Sequence, residues 1–319
     1  AYGLELLPTG DLLVSATHGW NSADGTRQNL SQVLRLTSNG TIAARWPAEP
    51  VSAAFKHPRI DPTGELVAVA VNRSAEGPDP EGLPIHGVQV LRLPDLSPVR
   101  GVVEPPLEPW FRYAFVWEAI DVSATHQAVL LGMGDGRVRV YGLDGAPVVQ
   151  LDAGTPVLSG EIPIAAGIGH GQFLGDQLLF LTSTTNIPWG AASPELRPPS
   201  LHPAENALWA YGLDSALDWT WTGPQALEGF AVQDGGTDLV VGAGARQTDH
   251  RTDLFGALIF DGAPGAGSGE DRLRAFCATE GPVFFRQALA LTDRLAVTEF
   301  PTKTEDGQLI GNYQVTIFR

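Results

Sequence analysis

A polar turn followed by an apolar strand recurs six times along the chain. The copies are PTGDLLVSA from Pro8, PTGELVAVA from Pro62, THQAVLLGM from Thr125, LGDQLLFLT from Leu174, GGTDLVVGA from Gly235 and LTDRLAVTE from Leu291. Turn residues followed by a short aliphatic run are typical of strands that are joined by tight connections. The pattern therefore predicts six copies of one β-structured unit.

Each copy supplies the second of about four strands in its unit. A short apolar run precedes it, such as LELL in the first unit, and an alternating strand follows after a variable gap, such as RVRVYGLDG in the third. A polar turn then leads into a last strand, such as ALDWTWT in the fourth unit. No long segment combines helical spacing of apolar residues with good caps. These features predict an all-β fold, a six-bladed β-propeller of four-stranded antiparallel blades.

The approximate repeats are 1–50, 51–105, 106–155, 156–223, 224–281 and 282–319, and they form a single propeller domain. The sixth repeat ends with YQVTIFR and has no outer strand after it, so we expect the last blade to be incomplete. Either this blade has three strands or the chain is a fragment. The chain also begins with Ala1 in an apparent strand, which we interpret as a processed or trimmed product.

The glycine-rich segment GMGDGR, at positions 132–137, has two interpretations. A dinucleotide-binding glycine loop would need a helix directly after it and an acidic residue about 20 positions further on. Here the strand RVRVYGL follows at once, at the place where the other five units carry longer insertions. The segment is therefore predicted to be a short turn between two antiparallel strands.

The repeats resemble those of the broad β-propeller class, including WD40-like and NHL-like proteins, across essentially the whole chain. The turn-strand units are similar to NHL-type repeats, and GDGRVRVYGLDG resembles the hairpin of many propeller blades. The blades are not closed by a Trp-Asp dipeptide, and the sialidase Asp-box is absent from the sequence. The resemblance implies the propeller architecture and no specific family.

The charge balance argues against two classes of partner. The 319 residues include 20 Lys and Arg against 36 Asp and Glu, a formal net charge of -16. Nucleic acid and acidic membrane surfaces would repel such a chain, so we expect neither as a partner. No apolar run approaches the roughly 18 residues of a transmembrane segment. The single cysteine, Cys277, excludes an intrachain disulfide, and our expectation for localisation is secreted, periplasmic or cell surface.

Long links between the second and third strands are predicted to emerge on one face of the propeller. They span positions 18–31, 72–86, 185–206, 246–254 and 300–312. Loops held by a rigid scaffold are common binding sites, although surface insertions are also tolerated at little cost in stability. We hypothesise that this face binds a partner. Its candidate residues are Trp20 and Trp189 as apolar anchors, with Arg27, Arg73, Arg246 and Arg251 as polar rim contacts.

Alignment of the six turns predicts a second polar group at the starts of the innermost strands, around the central channel. Its members are His57, Trp117 with Glu118, His170, Glu228 and Arg286. Imidazole and carboxylate groups can bind a metal or exchange protons. Propellers of the lactonase kind resemble this arrangement because they hold calcium with Glu, Asn and Asp. The chain does not reproduce that full ligand set, and Arg286 would repel a divalent cation such as calcium.

Three functions are compatible with this sequence, and the pattern favours the first, which is not enzymatic. The first is an extracytoplasmic binding or assembly module whose loop-rich face meets a protein or carbohydrate partner. The second is a metal-dependent lactonase, hydrolase or lyase acting on a small molecule at the mouth of the channel. Its catalytic or ligand candidates are His57, Glu118, His170 and Glu228, with Arg286 beside them. The third is a structural subunit of a larger complex.

Overall fold

The computed structural model describes residues 3–21, 23–25, 27–72, 83–84, 86–105, 107, 116–187, 201–233, 237–244, 252–265, 267–291, 294–303 and 307–318. The chain is an all-β protein with the β-propeller fold and about six blades, as the sequence predicted. Each blade is an antiparallel sheet, and in blades 1 to 5 consecutive strands are neighbours. No helix in the described ranges could cross a membrane, and the longest helix there has four residues.

Blades 1 to 3 contain twelve strands. Blade 1 has β1 (Gly3–Leu6), β2 (Leu12–Asn21), β3 (Arg27–Leu36) and β4 (Ile42–Val51). Blade 2 has β5 (Ala54–Ile60), β6 (Leu66–Asn72), β7 (His86–Arg92) and β8 (Ser97–Val103). Blade 3 has β9 (Val116–Ser123), β10 (Ala128–Met133), β11 (Val138–Gly142) and β12 (Pro147–Leu151).

Blades 4 to 6 depart slightly from four strands. Blade 4 adds β13 (Val157–Ser159) to β14 (Ile162–Leu174), β15 (Gln177–Asn186), β16 (Ala207–Gly212) and β17 (Leu217–Thr222). Blade 5 has β18 (Ala226–Val232), β19 (Asp238–Gly244), β20 (Gly256–Asp261) and β21 (Leu273–Ala278), with the helix α1 (Gly269–Arg272) before its last strand. Blade 6 has only β22 (Val283–Leu291), β23 (Arg294–Glu299) and β26 (Gln314–Phe318) in one sheet, with the separate hairpin β24 (Thr302–Lys303) and β25 (Leu309–Ile310) between them.

The recurring turn has a clear local cause in blade 2. Asp61 accepts hydrogen bonds from the backbone N–H groups of Glu65 at 2.9 Å and Leu66 at 2.7 Å, so one carboxylate closes the turn. Gly64 has a φ of +74°, a left-handed conformation that an L side chain rarely adopts. The backbone geometry of this turn therefore explains why the Pro-Thr-Gly segment ends in glycine.

The described part of the hydrophobic core is divided into five clusters, each of which joins two consecutive blades. In every cluster the outermost strand of the earlier blade contributes an apolar side chain to the seam with the next blade. These side chains are Trp46 in blade 1, Val102 in blade 2, Val149 in blade 3, Trp219 and Trp221 in blade 4, and Cys277 in blade 5. Face-to-face burial between neighbouring blades therefore stabilises the fold, as expected for a repeat architecture.

The segment GMGDGR is a turn between β10 and β11, which confirms the prediction, and it also links two blades. Arg137 donates to both carboxylate oxygens of Asp135, at 2.9 and 2.8 Å, and to Glu104 at 2.7 Å. Tyr141 donates to the other oxygen of Glu104 at 2.6 Å. Because Glu104 follows the last strand of blade 2, this buried network connects blade 2 to blade 3.

The described residues of blade 6 form a three-stranded sheet, as the sequence predicted for residues 282–319. The prediction that positions 18–31 form a loop is wrong for most of that segment. Strands β2 and β3 continue through it in unbroken register, from Leu12 opposite Leu36 to Asn21 opposite Arg27. The cause is visible in the sequence, because alternating residues flank an Asp24-Gly25 turn, a strong hairpin signal.

Candidate functional site

The two-stranded ribbon at the end of β2 and β3 is the best-described part of the predicted binding face. Strand β1 pairs with β2 as far as Ser15, and β4 pairs with β3 as far as Ser31. Beyond the Thr17–Ser31 pair, residues 18–21 and 27–30 pair only with each other among the described strands. At roughly 3.3 Å per residue, the strands of this ribbon extend about 13 Å beyond that pair.

Two hydrogen bonds fix the base of the ribbon, one between its own strands and one to the segment just before blade 2. The hydroxyl groups of Thr17 and Ser31 are 2.7 Å apart across the two strands. Ser31 also donates to the carbonyl oxygen of Ala53, just before blade 2, at 2.6 Å. The base of the ribbon is therefore held both within blade 1 and by the segment that leads into blade 2.

Trp20 and His18 form an aromatic pair on one side of this ribbon. Their ring centroids are 5.4 Å apart with an interplanar angle of 28°, a stacked arrangement. Both residues are exposed, and Trp20 retains 39% of its accessible surface. A large, rigid aromatic surface that stays accessible on an anchored ribbon is suited to binding, because little conformational entropy is lost on contact.

The side chains of the other candidates for this face lie outside the described part of the structure. Arg73, Trp189, Arg246 and Arg251 lie outside the described residues, and of Arg27 only the backbone position in β3 is described. Sequence reasoning identified Trp20 but missed His18, its stacking partner two residues earlier. The signal was available, because residues i and i+2 of a strand project from the same face.

The five residues predicted around the channel all lie on innermost strands. His57 is in β5, Glu118 in β9, His170 in β14, Glu228 in β18 and Arg286 in β22. The side chains of Glu118, its neighbour Trp117 and Arg286 are outside the described part of the structure. The proposed convergence of all five groups therefore stays a prediction.

His170 is a buried residue with an apolar contact. Its ring packs edge-on against Phe230 of blade 5, with 4.4 Å between the ring centroids. Burial, with the nearby Arg59 and His57, lowers the pKa of His170 well below its usual value of 6.5. The ring is therefore neutral at physiological pH and contributes to packing between blades 4 and 5.

Asp121 is the titratable group that sequence reasoning missed. It lies on β9, where its carboxylate accepts the backbone N–H of Phe173 at 2.8 Å and connects blade 3 to blade 4. Burial raises the pKa of Asp121 to about 7, although the Phe173 N–H and Arg59 oppose this change by favouring the charged form. Its signal in the sequence was an acid inside an apolar strand, EAIDV.

Arg59 lies among the titratable groups of the innermost strands. It is 3.8 Å from the carboxylate of Glu5 in blade 1, and it also influences Asp121 and His170. Burial raises the pKa of Glu5, and Arg59 partly offsets that effect. In blade 5, burial of the carboxyl group raises the pKa of Glu228, although the residue as a whole is exposed to solvent.

Glu5, Arg59, Asp121 and His170 therefore form an electrostatic cluster across blades 1 to 4. No set of three or more His, Cys, Asp and Glu side chains within the described ranges is arranged to hold a metal ion. The cluster can store a proton on Asp121 near neutral pH, and its charge balance therefore changes with pH. The hydrolase or lyase hypothesis stays a prediction.

Comparisons with known proteins agree with the fold and name no family. No protein-family model and no curated protein matches the chain. Among solved structures, Raptor from Chaetomium thermophilum is similar at a TM-score of 0.55 and 10% identity, over 97% of this chain and 24% of that one. The chain thus spans about a quarter of the length of Raptor. At this identity the likeness concerns the fold alone.

Two further structures are similar at lower scores. A chain from the mitotic checkpoint complex has a TM-score of 0.41 and 11% identity, over 97% of this chain and 89% of that one. BamB from Moraxella catarrhalis has a TM-score of 0.41 and 14% identity, over 97% of this chain and 81% of that one. The sheet topology itself defines the β-propeller class, and the function must be argued from the surfaces of this chain.

Proposed function

We propose that this propeller is a binding module that presents the β2–β3 ribbon to a protein or carbohydrate partner. The observation that supports it best is the stacked, exposed pair of His18 and Trp20. The blades supply the rigid support, and the ribbon supplies an aromatic surface that is already ordered before the partner arrives. Preorganised side chains lose less entropy on binding, which favours affinity.

The chemistry of the pair limits the partner to two classes. The face of an indole ring stacks well on the apolar face of a sugar, and it also fills an apolar pocket of a protein. The formal net charge of -16 disfavours acidic partners such as nucleic acid. A neutral carbohydrate or a protein surface with basic residues fits both properties.

The test is a substitution at Trp20 with a control of equal exposure. Binders are selected from a glycan array and from a displayed peptide library, and their affinities are measured for wild type, Trp20→Ala and Phe276→Ala. Phe276 lies on the outer strand of blade 5 and is 38% exposed, so it controls for loss of an exposed aromatic ring. We expect Trp20→Ala to weaken binding at least tenfold, about 1.4 kcal/mol, with Phe276→Ala unchanged. Equal affinities for all three proteins would contradict the proposal.

A further inference from the structure

The aromatic pair lies on a face of the β2–β3 ribbon that carries no acidic residue, Lys or Arg. Side chains alternate along a strand, so every second residue of β2 and its cross-strand partner share one face. The residues that share the face of the pair are Ala16, His18, Trp20, Gln28, Leu30 and Gln32. None of these six residues has a carboxylate, ammonium or guanidinium group. The surroundings of the pair therefore differ from the chain as a whole, which is strongly acidic.

Hydrogen bonds on the opposite face and at the base hold this ribbon in place. Ser31 lies on the opposite face, where its hydroxyl donates to the carbonyl oxygen of Ala53. At the base, the side-chain amide of Gln32 donates to the carbonyl oxygens of Pro47 at 2.9 Å and Ala48 at 3.0 Å, both in β4. The aromatic face is therefore supported without using the rings of the pair.

His18 already covers one face of the Trp20 indole. The centroids of the two rings are 5.4 Å apart and their planes differ by 28°, which is an offset stack. The imidazole therefore lies against the indole. The opposite face and the outer edge of the indole are left for a ligand, and Trp20 keeps 39% of its accessible surface. The pair forms a flat aromatic platform that is open on one side.

A platform of this shape favours a flat ligand over a protein pocket. A tryptophan that anchors a protein complex is usually enclosed in a desolvated pocket of the partner. His18 prevents such a pocket from closing on both faces of Trp20 while the stack persists. A pyranose ring with equatorial hydroxyls needs only one indole face, because its own face is a flat layer of C–H groups. Its hydroxyls project around the rim, where imidazole nitrogens and water can bond to them.

We propose that the ligand of the ribbon is a neutral glycan built of equatorially substituted pyranose units, one of which stacks on the open face of Trp20. This inference rests on the proposed function of the ribbon as a binding surface, and it adds the chemical class of the ligand. The formal net charge of -16 repels glycans that carry carboxylate or sulfate groups, which favours the neutral class. The stack is ordered before the ligand arrives, so little entropy is lost on binding.

The probe is cellotetraose, a neutral β-1,4-linked glucose oligomer. Its matched control is the tetraglucuronate of the same linkage, which differs only by a carboxylate at C6 of each ring. Both are tested by saturation-transfer NMR and by titration calorimetry with wild type, Trp20→Phe, Trp20→Leu and Phe276→Ala. Trp20→Phe keeps a flat ring, Trp20→Leu keeps apolar bulk without one, and Phe276→Ala removes an exposed ring elsewhere. Urea unfolding of each variant checks that the fold is retained.

We expect saturation transfer to the axial protons on one face of the sugar ring, either H1, H3 and H5 or H2 and H4, because a stacked ring shows the protein one face. Trp20→Leu should weaken cellotetraose binding at least tenfold, about 1.4 kcal/mol. Trp20→Phe should weaken it less than Trp20→Leu, and Phe276→Ala should leave it unchanged. The tetraglucuronate should bind wild type at least tenfold more weakly than cellotetraose at low ionic strength.

The outcomes separate this inference from the proposed function. No saturation transfer to cellotetraose at millimolar concentration would overturn the glycan class, and so would equal affinities of wild type and Trp20→Leu or of the neutral and acidic oligomers. Peptides from the displayed library that need Trp20, in a protein that does not bind the glycan, would leave the ribbon as a binding surface with a protein partner. Ligands of both kinds that are insensitive to Trp20→Ala would contradict both proposals.

His18→Ala tests the platform itself. The substitution opens the second face of the indole and releases the ring from its stack, so the exposed aromatic surface grows while its order falls. We expect cellotetraose binding to weaken at least threefold, because the preordered ring and the imidazole nitrogens are both lost. Unchanged or tighter binding of cellotetraose by His18→Ala would show that the stack does not support the ligand and would overturn the proposed arrangement.

Discussion

Replacing Asp121 with asparagine should change how the stability of the protein depends on pH. The pKa of this buried carboxyl is about 7 in the folded protein, against an ordinary value of 3.8. Between those values the folded state keeps the proton while the unfolded chain has lost it. The unfolded state therefore binds fewer protons, and the free energy of unfolding falls as the pH rises from about 4 to about 7.

The magnitude follows from the width of that window. One pH unit of difference corresponds to about 1.4 kcal/mol, so the cost of ionising Asp121 is on the order of 4 kcal/mol above pH 7. Asparagine has nearly the same shape, and its amide oxygen can still accept the Phe173 N–H. Asp121→Asn should therefore gain stability relative to wild type by about 3 kcal/mol between pH 5 and pH 8.

The assay is urea unfolding followed by tryptophan fluorescence, performed on wild type, Asp121→Asn and Glu161→Gln at pH 5 and pH 8. Glu161 is an exposed residue in the turn between β13 and β14 and serves as the control. The lowered pKa of His170 has the opposite effect, because its contribution is present above pH 6.5 and is lost as the pH falls. Comparing wild type with the variant at each pH removes that effect. A difference between Asp121→Asn and wild type that is the same at both pH values would refute the reasoning.

Two further predictions concern the turn between β10 and β11. Arg137→Met leaves Glu104 and Asp135 buried without their cation, so it should destabilise the protein by about 3–5 kcal/mol in urea unfolding. Arg274→Met removes an exposed ion pair and should cost far less stability, so equal costs would contradict this account. A Cβ at Gly136 would lie 2.0 Å from the carbonyl carbon of Gly154, while Gly10 has a similar φ and nothing within 4 Å. Gly136→Ala should therefore lower the thermal midpoint far more than Gly10→Ala, and similar midpoints would show that the contact can relax.

The sequence by itself determined the repeat and hence the architecture. The turn-strand units were readable because Gly and Asp at the turns have local backbone roles, as Gly64 and Asp61 show. Strand alternation is also local, so the three strands described in blade 6 could be predicted from the sequence. For the same reason, the polar candidates around the channel, such as His57 and His170, could be assigned to the innermost strands.

The long-range contacts were decided only by the tertiary structure. Burial among neighbouring blades raises the pKa of Asp121, and the opposing Phe173 N–H and Arg59 come from blades 4 and 2. The loop predicted at positions 18–31 is a paired ribbon, and its stacked His18 and Trp20 depend on strand register. The burial and the electrostatic environment of a residue depend on neighbours that are distant in the chain. A periodic pattern therefore shows which residues can be buried, but it does not show which groups surround each of them.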